Sequence, residues 1–232
     1  PGEHFGFHIA ERFGREGFRV GLIARSEDKL SEMVSVLEKR GISAYYSCAD
    51  VRDTQQLNDA FEQLAEKMPY FQCLIYNVKH SIKGSGLKLN STKLTETFDA
   101  NVSGAISAIQ ISLPILKATR NLIRDSSIAP TIILTGGGYK DKPDENKLSL
   151  SIGKVGIHTI FTTLRGLLSY HGITLKTLVI DGVVRENGSS LRSDDVAEQF
   201  WGIFTSPSNK HYFRYPEKPS KQSSPGQLEL PI

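Results

Sequence analysis

Apolar runs of strand length alternate with amphipathic runs of helix length along most of this chain. Segments 18–24 (FRVGLIA), 43–48 (SAYYSC), 72–76 (QCLIY), 131–135 (TIILT) and 175–180 (LKTLVI) read as strands, each a short apolar run of strand length. Between them the helical period is clear. Ser26 precedes Glu27 and Asp28, and Leu30, Met33, Val34 and Leu37 recur on one face before Gly41 ends the run, a start and stop that suit helix caps and dipole. Asp53 with Gln56 has the pattern of a capping box ahead of Leu57, Phe61 and Leu64. Near the other end Ser193 reads as the cap of an acid-rich turn that leads into Val196, Phe200, Trp201 and Phe204, an aromatic set expected in the core. Strand and helix in alternation predict an α/β fold on a parallel sheet.

Two places disturb this pattern. The opening, PGEHFGFHIAERFG, puts a glycine-bearing loop at residue 1 and then a helix carrying Phe5, Ile9, Ala10 and Phe13. In a dinucleotide-binding unit such a turn follows a strand, and its backbone N–H groups meet the cofactor phosphates at the helix start. Gly2 and Gly6 would be the later part of that turn. The expectation is a sheet without its first strand, with about 5 to 10 residues lying upstream. The second disturbance is Lys154 in SLSIGKVGIH, which on a helix shares a face with Leu150, Ile157 and His158. From residue 215 onward the chain is rich in Pro, Ser and Lys and reads as a flexible tail, leaving 1–214 as a single domain.

Composition narrows the partners. The 28 basic and 25 acidic side chains give a net charge of +3, without long like-charge runs, so neither nucleic acid nor a membrane surface is expected as a partner. No apolar run reaches about 18 residues, and residues 1–20 do not have the form of a signal peptide. Cys48 and Cys73 lie in apolar segments without ligand spacing. Both are expected to be buried and structural, with no metal, in a reducing, cytoplasmic setting. A targeting segment upstream is left open.

The candidate chemistry follows the strand ends. Arg25 and Ser26 close LIAR-S after the strand 18–24. An arginine there can meet a 2′-phosphate bidentately where a carboxylate would bind the ribose hydroxyls, which favours NADP(H) over NAD(H). Asp50 and Val51 in CADVRD follow the next strand, where an adenine ring would lie. In order, GEHFGFHIA, LIARSEDKL, CADVRD, LIYN, FDANVSGAI and IGKVGI resemble the short-chain dehydrogenase/reductase family over roughly residues 1–185. That resemblance implies a three-layer, doubly wound Rossmann-type domain with a nicotinamide cofactor across the strand ends, usually a dimer or tetramer. Asn101 matches the family's helix asparagine, whose backbone helps hold a water. Lys154 matches the lysine that binds the nicotinamide ribose and lowers the pKa of a catalytic tyrosine.

Departures from the family are equally specific. Leu150 stands where the tyrosine would be, and Gly136 or Gly137 where the family has serine. Asn77 alone survives from the Asn-Asn-Ala-Gly segment, and Asp181 replaces the proline of a later turn that keeps Gly182, followed by Val183. Tyr139, Lys79, His80, His158, Ser149 and Ser151 are the candidate replacement acids, and none stands out. The implied function is an NADP(H)-dependent oxidoreductase acting on a small carbonyl or activated alkene. A cofactor-binding sensor or interaction scaffold without hydride transfer is the alternative.

Overall fold

The computed structural model describes residues 5–82, 84, 86–123, 128–185, 191–207 and 209–216. Chain order is α1 (Phe5–Arg15), β1 (Val20–Ala24), α2 (Glu27–Lys39), β2 (Ala44–Cys48), α3 (Thr54–Lys67) and β3 (Cys73–Tyr76). There follow α4 (Ser91–Phe98), α5 (Gly104–Leu122), β4 (Thr131–Gly137), α6 (Leu148–Tyr170) and β5 (Thr174–Ile180). Two-residue strands β6 (Val184–Arg185) and β7 (Leu191–Arg192) lead to α7 (Ser193–Thr205) and β8 (Tyr212–Tyr215). Every strand pairing is parallel, so the predicted Rossmann-type α/β architecture is the observed one.

Side chains on the strands sort the layers. In β4, Ile132 and Leu134 face a cluster with Leu57, Phe61, Leu116 and Phe161, whereas Ile133 faces Phe200 and Phe204. This alternation is what a strand covered on both faces requires. Helices α3, α5 and α6 therefore form one outer layer and α1 and α7 the other, with α2 closing over β1 and β2. The C-terminal aromatics belong to the core, as expected: Phe13, Phe18, Trp201 and Phe204 meet edge to face or tilted at 5.3–5.9 Å, an arrangement favoured by the ring quadrupoles.

The sheet is divided. β1 pairs with β2, and β3–β4–β5–β8 forms a separate sheet, and among the described residues no hydrogen-bonded strand joins β1 to β3. The predicted central gap is thus present. A cavity of about 1010 Å³ lies between the two edges, lined by Leu22 and Ile23 on one side, Leu74 and Ile75 on the other, and Phe61 and Phe13 from the helix layers.

Several sequence expectations need correction. Arg192, not Ser193, holds the N-cap position of α7, and the buried Ser193 hydroxyl has no hydrogen-bond partner among the described residues. Ser26 does occupy the N-cap of α2 but makes no side-chain cap bond. Asp53 caps α3 by accepting from Gln55 and Gln56, yet the Gln56 carbonyl reaches the Asp50 N–H at 3.1 Å, which spreads the capping box over the preceding loop. Cys48, the last residue of β2, is exposed, while Cys73 is largely covered. Tyr215, the first residue of the segment read as a tail, is a strand residue paired with Ile180, and residues 217–232 of that segment lie outside the described residues. The helix Ser91–Leu122 is long and apolar enough to cross a membrane by length and composition, a feature that run length alone missed. Its apolar residues Ala105, Ala108, Ile109 and Leu116 pack into the core.

Lys176 was also unforeseen. It lies in the middle of β5 with 1% exposure, and its ammonium donates to the Ile203 and Ser206 carbonyls, both at 2.8 Å, and to Ser206 Oγ at 3.0 Å. These acceptors lie at the C-terminal end of α7, where a cation is electrostatically favoured.

Candidate functional site

The carboxyl ends of the parallel strands gather the candidate residues in two groups. At the outer group, β1 ends at Ala24 and presents Arg25 exposed to solvent, with Ser26 next to it. β2 runs into Asp50, whose carboxylate takes a bidentate grip from Arg52: Nε to Oδ1 at 3.0 Å and Nη2 to Oδ2 at 2.6 Å. The Arg52 hydrogen bond is the largest reason that the Asp50 carboxyl lies below the usual range, with Arg25 adding a smaller attraction. Arg25 and Asp50 therefore stand within electrostatic reach of one another. Gly2 lies outside the described residues. Gly6 is buried in the first turn of α1, and with Val51 and Asn77 it borders the inter-sheet cavity.

The inner group is built on α5, α6 and the end of β4. Between α4 and α5 the helix makes a π turn, Asp99–Ser103, a distortion that re-aims side chains and often marks functional positions. It points Asn101 at the loop after β3. Asn101 Oδ1 accepts from the His80 N–H at 2.9 Å and Asn101 Nδ2 donates to the His80 carbonyl at 2.7 Å. Gly153 of α6 abuts this amide, since a Cβ there would stand 2.9 Å from Asn101 Nδ2. Tyr76 is a further brace, donating to the Ala100 carbonyl at 2.6 Å.

Lys154 follows Gly153 and is buried at 8% exposure. Its ammonium donates to the Thr135 carbonyl at 2.7 Å. Burial, with the Lys79 charge nearby, lowers its pKa to about 8. The stem crosses Gly137, where a Cβ would lie only 3.2 Å from the lysine Cγ and Cε. The glycine in place of serine is thus the space through which Lys154 reaches β4. An ammonium has three donors, and Thr135 takes one.

Leu150 is buried at 5% exposure one turn before Lys154. The flanking hydroxyls are engaged in the fold: Ser149 Oγ accepts from Ile82 N–H at 3.1 Å, and Ser151 Oγ donates to the Lys147 carbonyl at 3.0 Å. His158 stacks on Phe161 and meets Tyr212 edge-on, away from Asn101. Burial, followed by the Lys140 charge, lowers its pKa, and Asp141 partly opposes this.

Beyond β5, Asp181 accepts from Arg214 Nη1 at 2.7 Å, and Arg214 also pairs with Asp141, which holds Lys140 at 2.5 Å. Asp181 lies over Gly138, where a Cβ would come within 2.1 Å of its Oδ1. Gly182 and Val183 follow, both exposed. Sequence reasoning missed Arg52 and Arg214. Arg52 was legible as an Asp-x-Arg spacing, whereas Arg214 depends on a strand not foreseen. Among the described residues no group of three or more His, Cys, Asp or Glu side chains is placed to hold a metal ion.

A parallel sheet covered by helices on both faces, with Gly6 in the first turn of α1 and a lysine-bearing helix beside the strand ends, defines a Rossmann-type fold. The chain belongs to the short chain dehydrogenase family, which it matches over residues 2–195. It is 28% identical over 125 residues to short-chain dehydrogenase/reductase SDRA of Arabidopsis thaliana, covering 53% of this chain and 49% of that one. A ketoacyl reductase of Nostoc, HetN, is 23% identical over 202 residues, covering 86% and 67% of the two chains. The chain spans about half the length of the first curated relatives it matches. The fold also superposes on an NADPH-bound short-chain oxidoreductase from Pseudomonas aeruginosa described as containing an atypical catalytic center, with TM-score 0.81, 15% identity, and 91% and 90% coverage.

Proposed function

We propose that this chain is an NADP(H)-dependent oxidoreductase that reduces a small carbonyl or activated alkene. The observation that carries this reading is Lys154, a buried ammonium with donors to spare, set beside Asn101 at the strand ends. Such a group suits ribose hydroxyls. Arg25 would hold the 2′-phosphate, and Asp50, Val51 and Asn77 would border the adenosine half, with Gly6, Ser26, Gly182 and Val183 along the rest of the cofactor. The NADPH found in the P. aeruginosa neighbour supports the same choice. NAD(H) would bind more weakly, lacking the charge that Arg25 answers. When bound, the reduced nicotinamide supplies a hydride. The protein's share is to orient it and to deliver a proton.

One observation favours a second reading, a cofactor-binding sensor or scaffold without turnover: Leu150 is apolar, and Ser149 and Ser151 are tied into the fold. Lack of an oriented acid removes roughly a 10²- to 10⁴-fold contribution. A homo-oligomer, dimer or tetramer, is proposed on the support of Val155 and Leu167, which leave α6 46% and 58% exposed. A thermal-shift comparison of NADPH, NADP⁺, NADH and NAD⁺ tests the cofactor, because a ligand that binds only the folded state raises its apparent stability. The largest shift is expected with NADPH or NADP⁺; none with any of the four would refute the reading.

A further inference from the structure

We infer that His80 is the proton donor of this site, held beside Leu150 and Lys154 by Asn101 and Ser149. This deepens the reductase reading and rests on it. The argument begins with the loop after β3. Its His80 backbone is gripped on both sides by Asn101, at 2.9 and 2.7 Å, and two residues later the Ile82 N–H is bonded to Ser149 Oγ at 3.1 Å. Asn101 abuts Gly153, and Ser149 lies one helical turn before Gly153. Residues 80–82 therefore run along α6 from Gly153 back to Ser149, on the ridge adjacent to the one that carries Leu150 and Lys154.

One side chain of that loop is linked to Lys154 directly. Lys79 is near enough for its charge to act on Lys154. His80 Nδ1 is buried with no hydrogen-bond partner in the fold. Buried polar atoms are nearly always paired, and an exception calls for an explanation. A carbonyl oxygen bound between His80 and Lys154 would supply the missing partner. Ser149 and Ser151 are engaged in loop and helix bonds, and His158, whose Nδ1 is likewise buried without a hydrogen-bond partner among the described residues, has its ring against Phe161 and Tyr212.

The step is a single proton transfer. As the carbonyl carbon accepts the hydride that a reduced nicotinamide supplies, its oxygen takes the π pair and the ring proton of His80. The N–H bond breaks, the O–H bond forms, and solvent returns a proton to the imidazole. Asn101 and Ser149 are positioning residues that fix the loop.

The test uses the full chain, NADPH, and a 1,2-diketone as an activated carbonyl probe. His80→Gln is expected to slow diketone reduction by about a hundredfold or more and to flatten its pH profile, with NADPH affinity changed by less than about twofold. In the unsubstituted protein, the His80 ring nitrogen signals are expected to shift in a ¹H–¹⁵N spectrum when diketone is added to the NADP⁺-loaded form. His80→Gln retaining the parent rate and pH profile would overturn the inference, as would ring signals that stay still. Loss of the pH dependence in Lys154→Met, with His80→Gln unaffected, would move the acid to Lys154. Failure of the parent protein to bind NADPH would instead remove the reductase reading itself.

Discussion

Arg52 holds the carboxylate of Asp50 through both Nε and Nη2, at 3.0 and 2.6 Å. Asp50 is thereby neutralised locally, and Arg25 is left exposed on the neighbouring strand end with its charge available. If Arg25 meets the 2′-phosphate, Arg25→Ala should remove charge-assisted hydrogen bonds worth on the order of 1.5–3 kcal/mol. That is up to about a hundredfold in NADPH affinity, with NADH nearly unchanged. Calorimetric titration of both cofactors checks it; equal losses would refute the assignment.

Lys154→Met keeps most of the apolar stem across Gly137 and deletes the ammonium. The fold should survive, because the stem contacts remain. NADPH affinity should fall by between about tenfold and a hundredfold through loss of charged hydrogen bonds to the ribose. Unchanged affinity in a fluorescence titration would make Lys154 a strut between α6 and β4 and no more.

Buried lysines also tie stability to pH. Burial lowers both Lys154 and Lys176 to about 8, whereas the unfolded chain holds these protons up to about pH 10.4. Between those values the unfolded state binds more protons, so each lysine makes stability rise with pH, and below about 8 its full cost is present. Cys73 and Tyr76, raised by burial, pull the other way once their unfolded forms ionise. The comparison of parent with Lys176→Met isolates one lysine. Urea unfolding at pH 7.5 and 9.5 should show the parent gaining on the order of 1–2 kcal/mol relative to the variant; parallel curves would contradict the burial argument.

Leu150→Tyr tests the site from the other side. The larger side chain enters a packed position and should cost about 1–3 kcal/mol, lowering Tm by about 2–4 °C for each kcal/mol. A phenol one turn from the Lys154 ammonium should ionise below its usual range, since a nearby positive charge favours phenolate. Ultraviolet difference titration reads this directly. A phenol with an ordinary or raised pKa would show that Lys154 is turned away from position 150.

The central strands and helices were legible because their signals are local. Leu30, Met33, Val34 and Leu37 mark α2 by spacing alone, and Ile132 and Leu134 with Ile133 mark a strand covered on both sides. What escaped depends on partners distant in sequence. The strand Tyr212–Tyr215 is fixed by pairing with β5, and Lys176 reads as an anomaly until the end of α7 arrives to accept its protons. In the site, Asn101 and Lys154 were found by family resemblance. The clamp on His80 was not, since backbone groups that accept a side chain leave no trace in residue identity. Ser193 misled for a related reason: its hydroxyl fits a cap by type, but the helix begins one residue earlier in register.

The divided sheet also defines what could lie between its two parts. Among the described residues no strand is hydrogen-bonded between β1 and β3, and Leu22, Ile23, Leu74 and Ile75 line the space that separates them. A strand seated there would be recognised by backbone pairing on both of its edges and by apolar side chains on its faces.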